Sequence, residues 1–181
     1  MRARIKMHRF RYLLLLVFGG LAACHTGRQA TTVVKEKTLI AEYANGWLHY
    51  KVYLLPGSSA GLTGKQKENL TLSIMVVNIK DNTSPLRKRC TSLDEYNHYY
   101  EYLLNSCKDD IVVRDGKKEL YPVYYAFENN YDAFPFETIN IGFEYDLRKK
   151  GLSSLHKLQL IYTDKVFSQA VVNCKLNNPN K

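Results

Sequence analysis

The chain has 181 residues and a formal net charge of +9, from 26 Lys and Arg residues against 17 Asp and Glu residues. Hydrophobic residues make up 45% of the chain and charged residues 24%, which allows a packed core and excludes wholesale disorder. The length accommodates one ordinary domain, and four cysteines are too few for a disulfide-stapled small protein.

The first 23 residues have the pattern of a secretory signal. Residues 1–11 contain five basic and no acidic side chains, and an apolar run from Tyr12 to Ala23 follows them. As a helix this run is about 18 Å long, because each residue adds about 1.5 Å. A bilayer core of about 30 Å needs about 20 apolar residues. The segment therefore predicts a cleaved signal peptide rather than a permanent transmembrane anchor.

The signal ends in Leu21-Ala22-Ala23-Cys24, which resembles the lipobox of bacterial lipoproteins. The resemblance implies cleavage before Cys24, a thioether-linked diacylglycerol on its thiol and acylation of the new amine. Several acyl chains together hold a protein on a membrane. In the best-known sorting rule of this family, Asp after the Cys retains the protein in the inner membrane. His25 stands there, which implies a lipid anchor in the outer membrane with the protein facing the periplasm. The alternative is an ordinary signal peptide with an unrelated Cys.

Loss of residues 1–23 removes five basic and no acidic groups, which lowers the net charge from +9 to +4. Two short basic runs remain, Arg87-Lys88-Arg89 and Arg148-Lys149-Lys150, and each lies in a predicted turn. We expect no nucleic-acid partner. The basic runs are interpreted as solvated loop charges, with anionic lipid headgroups or an acidic partner face as the alternative.

A β-hairpin is predicted at the start of the folded domain. Residues 38–44 and the run from Trp47 to Leu55 are strand-like, and Asn45-Gly46 between them favours a type I′ turn. Period-2 alternation in the second arm indicates a half-buried strand, with one face formed by Leu48, Tyr50, Val52 and Leu54. After a Gly- and Ser-rich loop, residues 70–80 are predicted to form a central strand, with Leu70, Leu72, Ile74 and Val76 on one face.

One helix is predicted over residues 93–105. Ser92 and Glu95 have capping-box spacing. An apolar stripe at helical spacing follows, formed by Leu93, Tyr96, Tyr100, Leu103 and Leu104. Tyr99 and Tyr102 widen its aromatic face, which is interpreted as core or as a surface that covers a sheet.

Further strands are predicted after the helix. Asp115-Gly116 indicates a second hairpin, and Pro122 places its second arm at a sheet edge or makes it start late. Residues 129–135 are predicted to form a loop. Alternating apolar side chains then indicate strands with these inward faces: Ile139, Ile141, Phe143 and Tyr145; Leu158, Leu160 and Tyr162; Val166, Ala170, Val172 and Cys174.

About eight strands with short connections and one helix predict a mainly β fold, an antiparallel Greek-key β-sandwich of the immunoglobulin-like type. The layout is loosely similar to the immunoglobulin-like domains of bacterial lipoproteins. The predicted organisation is a signal peptide over residues 1–23, a lipid anchor and flexible tether over 24–37, the sandwich over 38–177 and a polar tail over 178–181.

Three cysteines remain once Cys24 is lipidated. A bridge between Cys90 and Cys107 conflicts with the helix between them, because 13 helical residues span about 20 Å and a disulfide needs Cα atoms within about 7 Å. Either Cys could instead pair with Cys174. A buried, reduced Cys174 is the alternative, because its strand face is apolar.

No catalytic, cofactor or metal site is predicted. The five histidines lack metal-ligand spacing, and the chain has no G-x-S-x-G, G-x-G-x-x-G or Walker sequence. We therefore expect a protein that is not an enzyme and binds no cofactor.

Aromatic residues crowd the segment from Tyr121 to Phe136. Strand packing accounts for most of them, but Tyr131 and Phe134 lie in the predicted loop. Exposed there, they would suit a protein partner or a glycan. Packing of both rings into the core is the alternative.

These features predict a non-enzymatic cell-envelope lipoprotein whose sandwich docks another envelope protein, as an accessory subunit of an assembly such as a secretion system. The small lipidated β-sandwich of type VI secretion systems has this layout. The alternatives are a periplasmic immunity protein against a toxin and a glycan- or peptidoglycan-binding module.

Overall fold

The computed structural model describes residues 36–56 and 70–178. The predicted signal peptide, Cys24 and nearly all of the predicted tether lie outside these residues. The described strands are β1 Thr38–Asn45, β2 Leu48–Leu54, β3 Leu70–Asn78, β4 Ile111–Asp115, β5 Lys118–Leu120, β6 Pro122–Glu128, β7 Phe136–Phe143, β8 Leu158–Thr163 and β9 Val171–Lys175. The α-helices are α1 Pro85–Arg89, α2 Leu93–Asn105 and α3 Leu147–Lys150, and 3₁₀ turns span Cys107–Asp110 and Leu152–Lys157.

The strands form two antiparallel sheets, so the predicted mainly β sandwich is confirmed. One sheet has five strands in the order β1-β2-β3-β7-β6, and the other has four in the order β5-β4-β8-β9. The sequence predicted about eight strands. The ninth arises because the second arm of the second hairpin breaks at Tyr121, where the chain leaves one sheet and enters the other. Pro122 opens β6, an edge strand where its missing N–H breaks no internal ladder.

The predicted alternation holds in the strands that form the core. The inward residues of β2, β3, β7 and β8 are at most 1% exposed: Leu48, Tyr50, Val52, Leu54, Leu70, Leu72, Ile74, Val76, Ile139, Ile141, Phe143, Leu158, Leu160 and Tyr162. The prediction was less accurate at the last strand. Val166 and Ala170 precede β9, and Gln169 between them has a φ of 53° that interrupts extended backbone.

Both hairpin turns lie one residue later than predicted. Asn45 pairs with Leu48, so the two turn residues are Gly46 and Trp47. Gly46 has a φ of 62°, whereas neither Asn45 nor Trp47 has a positive φ. This arrangement fits a type II′ turn, which places Gly at its first central position, and not the predicted type I′ turn.

Helix α2 has the predicted bounds, and Ser92 caps it by accepting a hydrogen bond from the N–H of Glu95 at 3.1 Å. Its predicted apolar stripe is only partly buried. Leu103 is fully buried, but Leu93 is 68% exposed and Leu104 is 41% exposed. Tyr96 and Tyr100 of the stripe pack against the core, together with Tyr99 and Tyr102 beside it. The helix therefore covers the sandwich mainly with its tyrosines.

The three described cysteines are free thiols, so none of the disulfides considered from the sequence is present. Cys174 lies buried on the apolar face of β9, as the reduced alternative predicted. Cys107 is fully buried, and its Sγ lies 3.7 Å from the hydroxyl oxygen of Tyr162. In residues 36–56 and 70–178, no helix combines the length and the apolar character that a bilayer crossing requires.

Candidate functional site

Several connections meet at one end of the sandwich, which we call the α1 end. They are the Gly46-Trp47 turn, residues 79–92 with helix α1, residues 129–135 and residues 164–170. Two backbone hydrogen bonds tie the first three together. The N–H of Asn78 donates to the carbonyl of Pro135 at 2.8 Å, and the N–H of Ile79 donates to that of Trp47 at 3.0 Å.

A buried asparagine organises the segment that leads into α1. Asn78 is 3% exposed, and its amide nitrogen donates to Asp81 Oδ1 at 2.6 Å and to the carbonyl of Thr83 at 2.8 Å. Its amide oxygen accepts from the N–H of Lys80 at 3.0 Å. A side chain that satisfies the backbone in this way replaces the ladder bonds lost where β3 ends.

The connection between β6 and β7, residues 129–135, carries the two exposed rings, and we call it the tip loop. Tyr131 is 81% exposed and Phe134 is 53% exposed, so the core-packing alternative is wrong for both. Phe134 stacks on Phe136 with ring centroids 5.4 Å apart. Exposed aromatic rings of this kind offer contact area that loses little side-chain entropy on binding.

The tip loop has strained backbone at its apex. Tyr131 has a φ of 52° and Asp132 a φ of 62°, a region that side chains other than glycine enter at a cost. Local hydrogen bonds hold this conformation. The N–H of Tyr131 donates to Asn129 Oδ1 at 2.7 Å, and the N–H of Ala133 donates to the carbonyl of Asn130 at 3.0 Å.

A single hydroxyl joins the tip loop to α1. Ser84, which is fully buried, donates a hydrogen bond to Asp132 Oδ1 and accepts one from the N–H of Arg87 at 3.1 Å. The second bond makes Ser84 the N-cap of α1. This bond links the tip loop to a residue 48 positions away in sequence.

Beneath the tip loop lies a carboxyl group that sequence reasoning missed. Glu137 is fully buried, and neither carboxylate oxygen has a hydrogen-bond partner among the described residues. Burial raises its pKa to about 8, and the charge of Asp132 adds to this effect. The Ser84 hydroxyl and the N–H of Asn130 lie near enough to oppose the shift, but neither makes a bond of ordinary geometry. In the alternation along β7, Glu137 falls on the same face as the buried residues Ile139 and Ile141. This pattern is the sequence signal that could have predicted its burial.

A second buried carboxylate holds the connection between β8 and β9. Asp164 is 1% exposed and accepts hydrogen bonds from the N–H groups of Val166 and Phe167, both at 2.9 Å, and from that of Ser168 at 2.6 Å. It also accepts from hydroxyl groups, those of Tyr50, Tyr162 and Ser168. Burial, with the neighbouring charge of Asp164, raises the pKa of Tyr50. All of these partners come from the protein itself, so the role of Asp164 here is to shape a loop.

The described residues contain no group of three or more His, Cys, Asp and Glu side chains placed to hold a metal ion. Cys24, the predicted site of lipid attachment, lies outside the part of the chain that the structure describes. The α1 end carries two exposed aromatic rings, Tyr131 and Phe134.

Comparison of the chain with protein-family models, with curated proteins and with solved structures finds no match.

Proposed function

We propose that this protein is a non-enzymatic, lipid-anchored protein of the cell envelope that docks another envelope protein through its tip loop. The observation that carries the proposal is Tyr131, which is 81% exposed on strained backbone. A large ring that is held in solvent by a fixed loop is the kind of anchor that enters a pocket on a partner protein.

The direction of the chain supports this arrangement. Thr38 pairs with Leu54, whereas Asn45 at the other end of β1 leads into the Gly46-Trp47 turn. The folded domain therefore begins at the end opposite the tip loop. Eight strand residues separate the two ends by roughly 26 Å at about 3.3 Å per residue. Tyr131 therefore lies at the end of the sandwich away from Thr38, the end at which a tether would enter the folded domain.

The tether allows the domain to reach a partner. The 14 residues over the predicted anchor and tether, 24–37, span at most about 50 Å when fully extended. An accessory subunit of an envelope-spanning assembly, such as a secretion system, needs this combination of a fixed anchor and a projecting surface. A periplasmic immunity protein would use the same exposed surface to bind a toxin.

A photo-crosslinking amino acid in place of Tyr131 tests the proposal in whole cells. We expect a crosslinked protein with the probe at position 131 and none with the probe at Lys117, an exposed turn residue at the opposite end of the sandwich. Equal crosslinking from both positions, or none from either, would contradict docking through the tip loop.

Phe134, which is 53% exposed and stacked on Phe136, favours the glycan-binding alternative, because sugar rings pack on exposed aromatic faces. A pull-down on peptidoglycan separates the two functions. Retention that Phe134→Ser abolishes, without any crosslinked protein at position 131, would replace the docking proposal by glycan binding.

A further inference from the structure

A cleft of about 330 Å³ opens at the α1 end, near the small end of the range for ligand pockets. It is lined by Trp47, Lys88, Arg89, Phe167, Ser168 and Gln169. The walls thus come from the β1–β2 turn, from α1 and from the loop that Asp164 holds. Trp47 is the single tryptophan of the chain.

Arg89 carries an unpaired charge into this cleft. Its Nε–H donates to the carbonyl of Val166 at 3.0 Å, and its guanidinium lies 5.9 Å from the ring centroid of Tyr99. These contacts fix the side chain, and the described residues provide no ion pair for its two Nη groups. Because a guanidinium has five N–H donors in a planar fork, a positioned fork with free donors suits a carboxylate.

The residues that line the cleft include two basic side chains, Lys88 and Arg89, and no acidic one. Lys88 forms an ion pair with Asp81 and lies 5.0 Å from the ring centroid of Trp47, so its charge is largely neutralised. Hydrogen bonds from Thr91 lower the pKa of Glu95, and the charge of Arg89 adds to this effect. The Glu95 carboxylate is thus bonded to Thr91 and not to the guanidinium. Asp164 does not line the cleft, and its oxygens already accept hydrogen bonds from the N–H groups of its own loop.

We propose that this cleft receives an acidic side chain from an extended peptide segment of the docked protein, with the carboxylate on Arg89 and the chain beside Trp47. The inference deepens the proposed function and rests on it for the presence of a protein partner. A peptide is favoured over a lipid headgroup because the cleft lies at the end of the sandwich opposite Thr38, where the chain arrives from its predicted anchor.

The fluorescence of Trp47 reports on the cleft directly. The purified full chain is placed in phosphatidylcholine vesicles and titrated with a hexaglutamate peptide, with hexalysine as the control peptide. We expect a saturable change in emission with hexaglutamate alone. Arg89→Gln should weaken this binding at least about fivefold, because it removes charge-assisted hydrogen bonds. Arg114→Gln, which alters a half-buried arginine on β4 that is paired with Glu119, should leave it unchanged.

Three results would overturn the proposal: no response to hexaglutamate, a response that Arg89→Gln does not weaken, or an emission change that occurs only in phosphatidylglycerol vesicles. Arg89→Lys, which keeps the charge and loses the fork, serves as the second variant if Arg89→Gln unfolds. It should also weaken binding. A protein crosslink at position 131 without a hexaglutamate response would contradict the cleft proposal and leave the docking proposal in place. A hexaglutamate response without a crosslink at position 131 would contradict docking through the tip loop.

Discussion

The hydroxyl of Ser84 donates a hydrogen bond to Asp132, and the same oxygen caps helix α1. One buried atom therefore couples the position of α1, which carries Arg89, to that of the tip loop, which carries Tyr131. The Ser84 hydroxyl therefore contacts both parts of the proposed docking surface.

Ser84→Ala should cost about 1–2 kcal/mol in the free energy of unfolding, because it removes an N-cap and leaves Asp132 without its donor. Urea denaturation measures this loss. Ser92→Ala is the matched control, since Ser92 caps α2 from an exposed position and makes no hydrogen bond to the described residues of the tip loop. Hydrogen exchange over residues 129–135 should speed up in Ser84→Ala alone. Equal acceleration in both variants would contradict the coupling.

Glu137 should make stability depend on pH. Its pKa is about 8 in the folded chain against 4.5 for an ordinary glutamate, so between these values the folded state keeps a proton that the unfolded state has lost. The free energy of unfolding therefore falls as pH rises through this window, by up to about 1.4 kcal/mol per pH unit, and levels off above about pH 8.

Urea denaturation at pH 5 and at pH 8.5 measures the effect of Glu137. Glu137→Gln should remove most of the difference between the two pH values and should be the more stable protein at pH 8.5, because the amide carries no charge to bury. Glu101→Gln, at an exposed position on α2, is the control and should keep the wild-type pH dependence. If the free energy of unfolding of Glu137→Gln still changed with pH as it does in the wild type, groups other than Glu137 would be responsible for the pH dependence.

Asp164→Asn should destabilise the protein by about 3 kcal/mol, because an amide cannot accept all the hydrogen bonds that reach this buried carboxylate. Thermal unfolding measures the loss. Asp109→Asn, at an exposed position, should change stability by less than about 0.5 kcal/mol. If both variants unfold at the same temperature as the wild type, Asp164 does not hold its loop as we describe.

Mass spectrometry of the native protein tests the lipid anchor. We expect an N-terminal peptide that begins at Cys24, with a diacylglyceryl group on its thiol and an acyl group on its amine. Several acyl chains are needed for stable membrane attachment, so a washed membrane fraction should retain the protein. An unmodified thiol at position 24, or a chain that still begins at Met1, would contradict both the placement and the proposed function.

Local patterns determined the elements of this fold. Period-2 alternation from Leu48 to Leu54 places buried and exposed side chains on opposite faces of a strand, wherever that strand lies. Ser92 and Glu95 are three residues apart, so the start of α2 was visible in sequence. Both inferences concern neighbouring residues, and that is why single-sequence reasoning reached them.

Long-range contacts decided the rest. Glu137 is buried near Ser84 and the tip loop, and the charged cleft forms where Arg89, Val166 and Trp47 come together from distant segments. Hydrophobic periodicity also misjudged Leu93 and Leu104, because the sandwich meets the side of α2 that carries Leu103 and the tyrosines. The sequence by itself indicated most of the strands and the start of α2, but it predicted turns at the two basic runs, where the structure has the short helices α1 and α3. Only the tertiary structure decided which side chains stay in water, because exposure depends on packing between segments that are far apart in the chain.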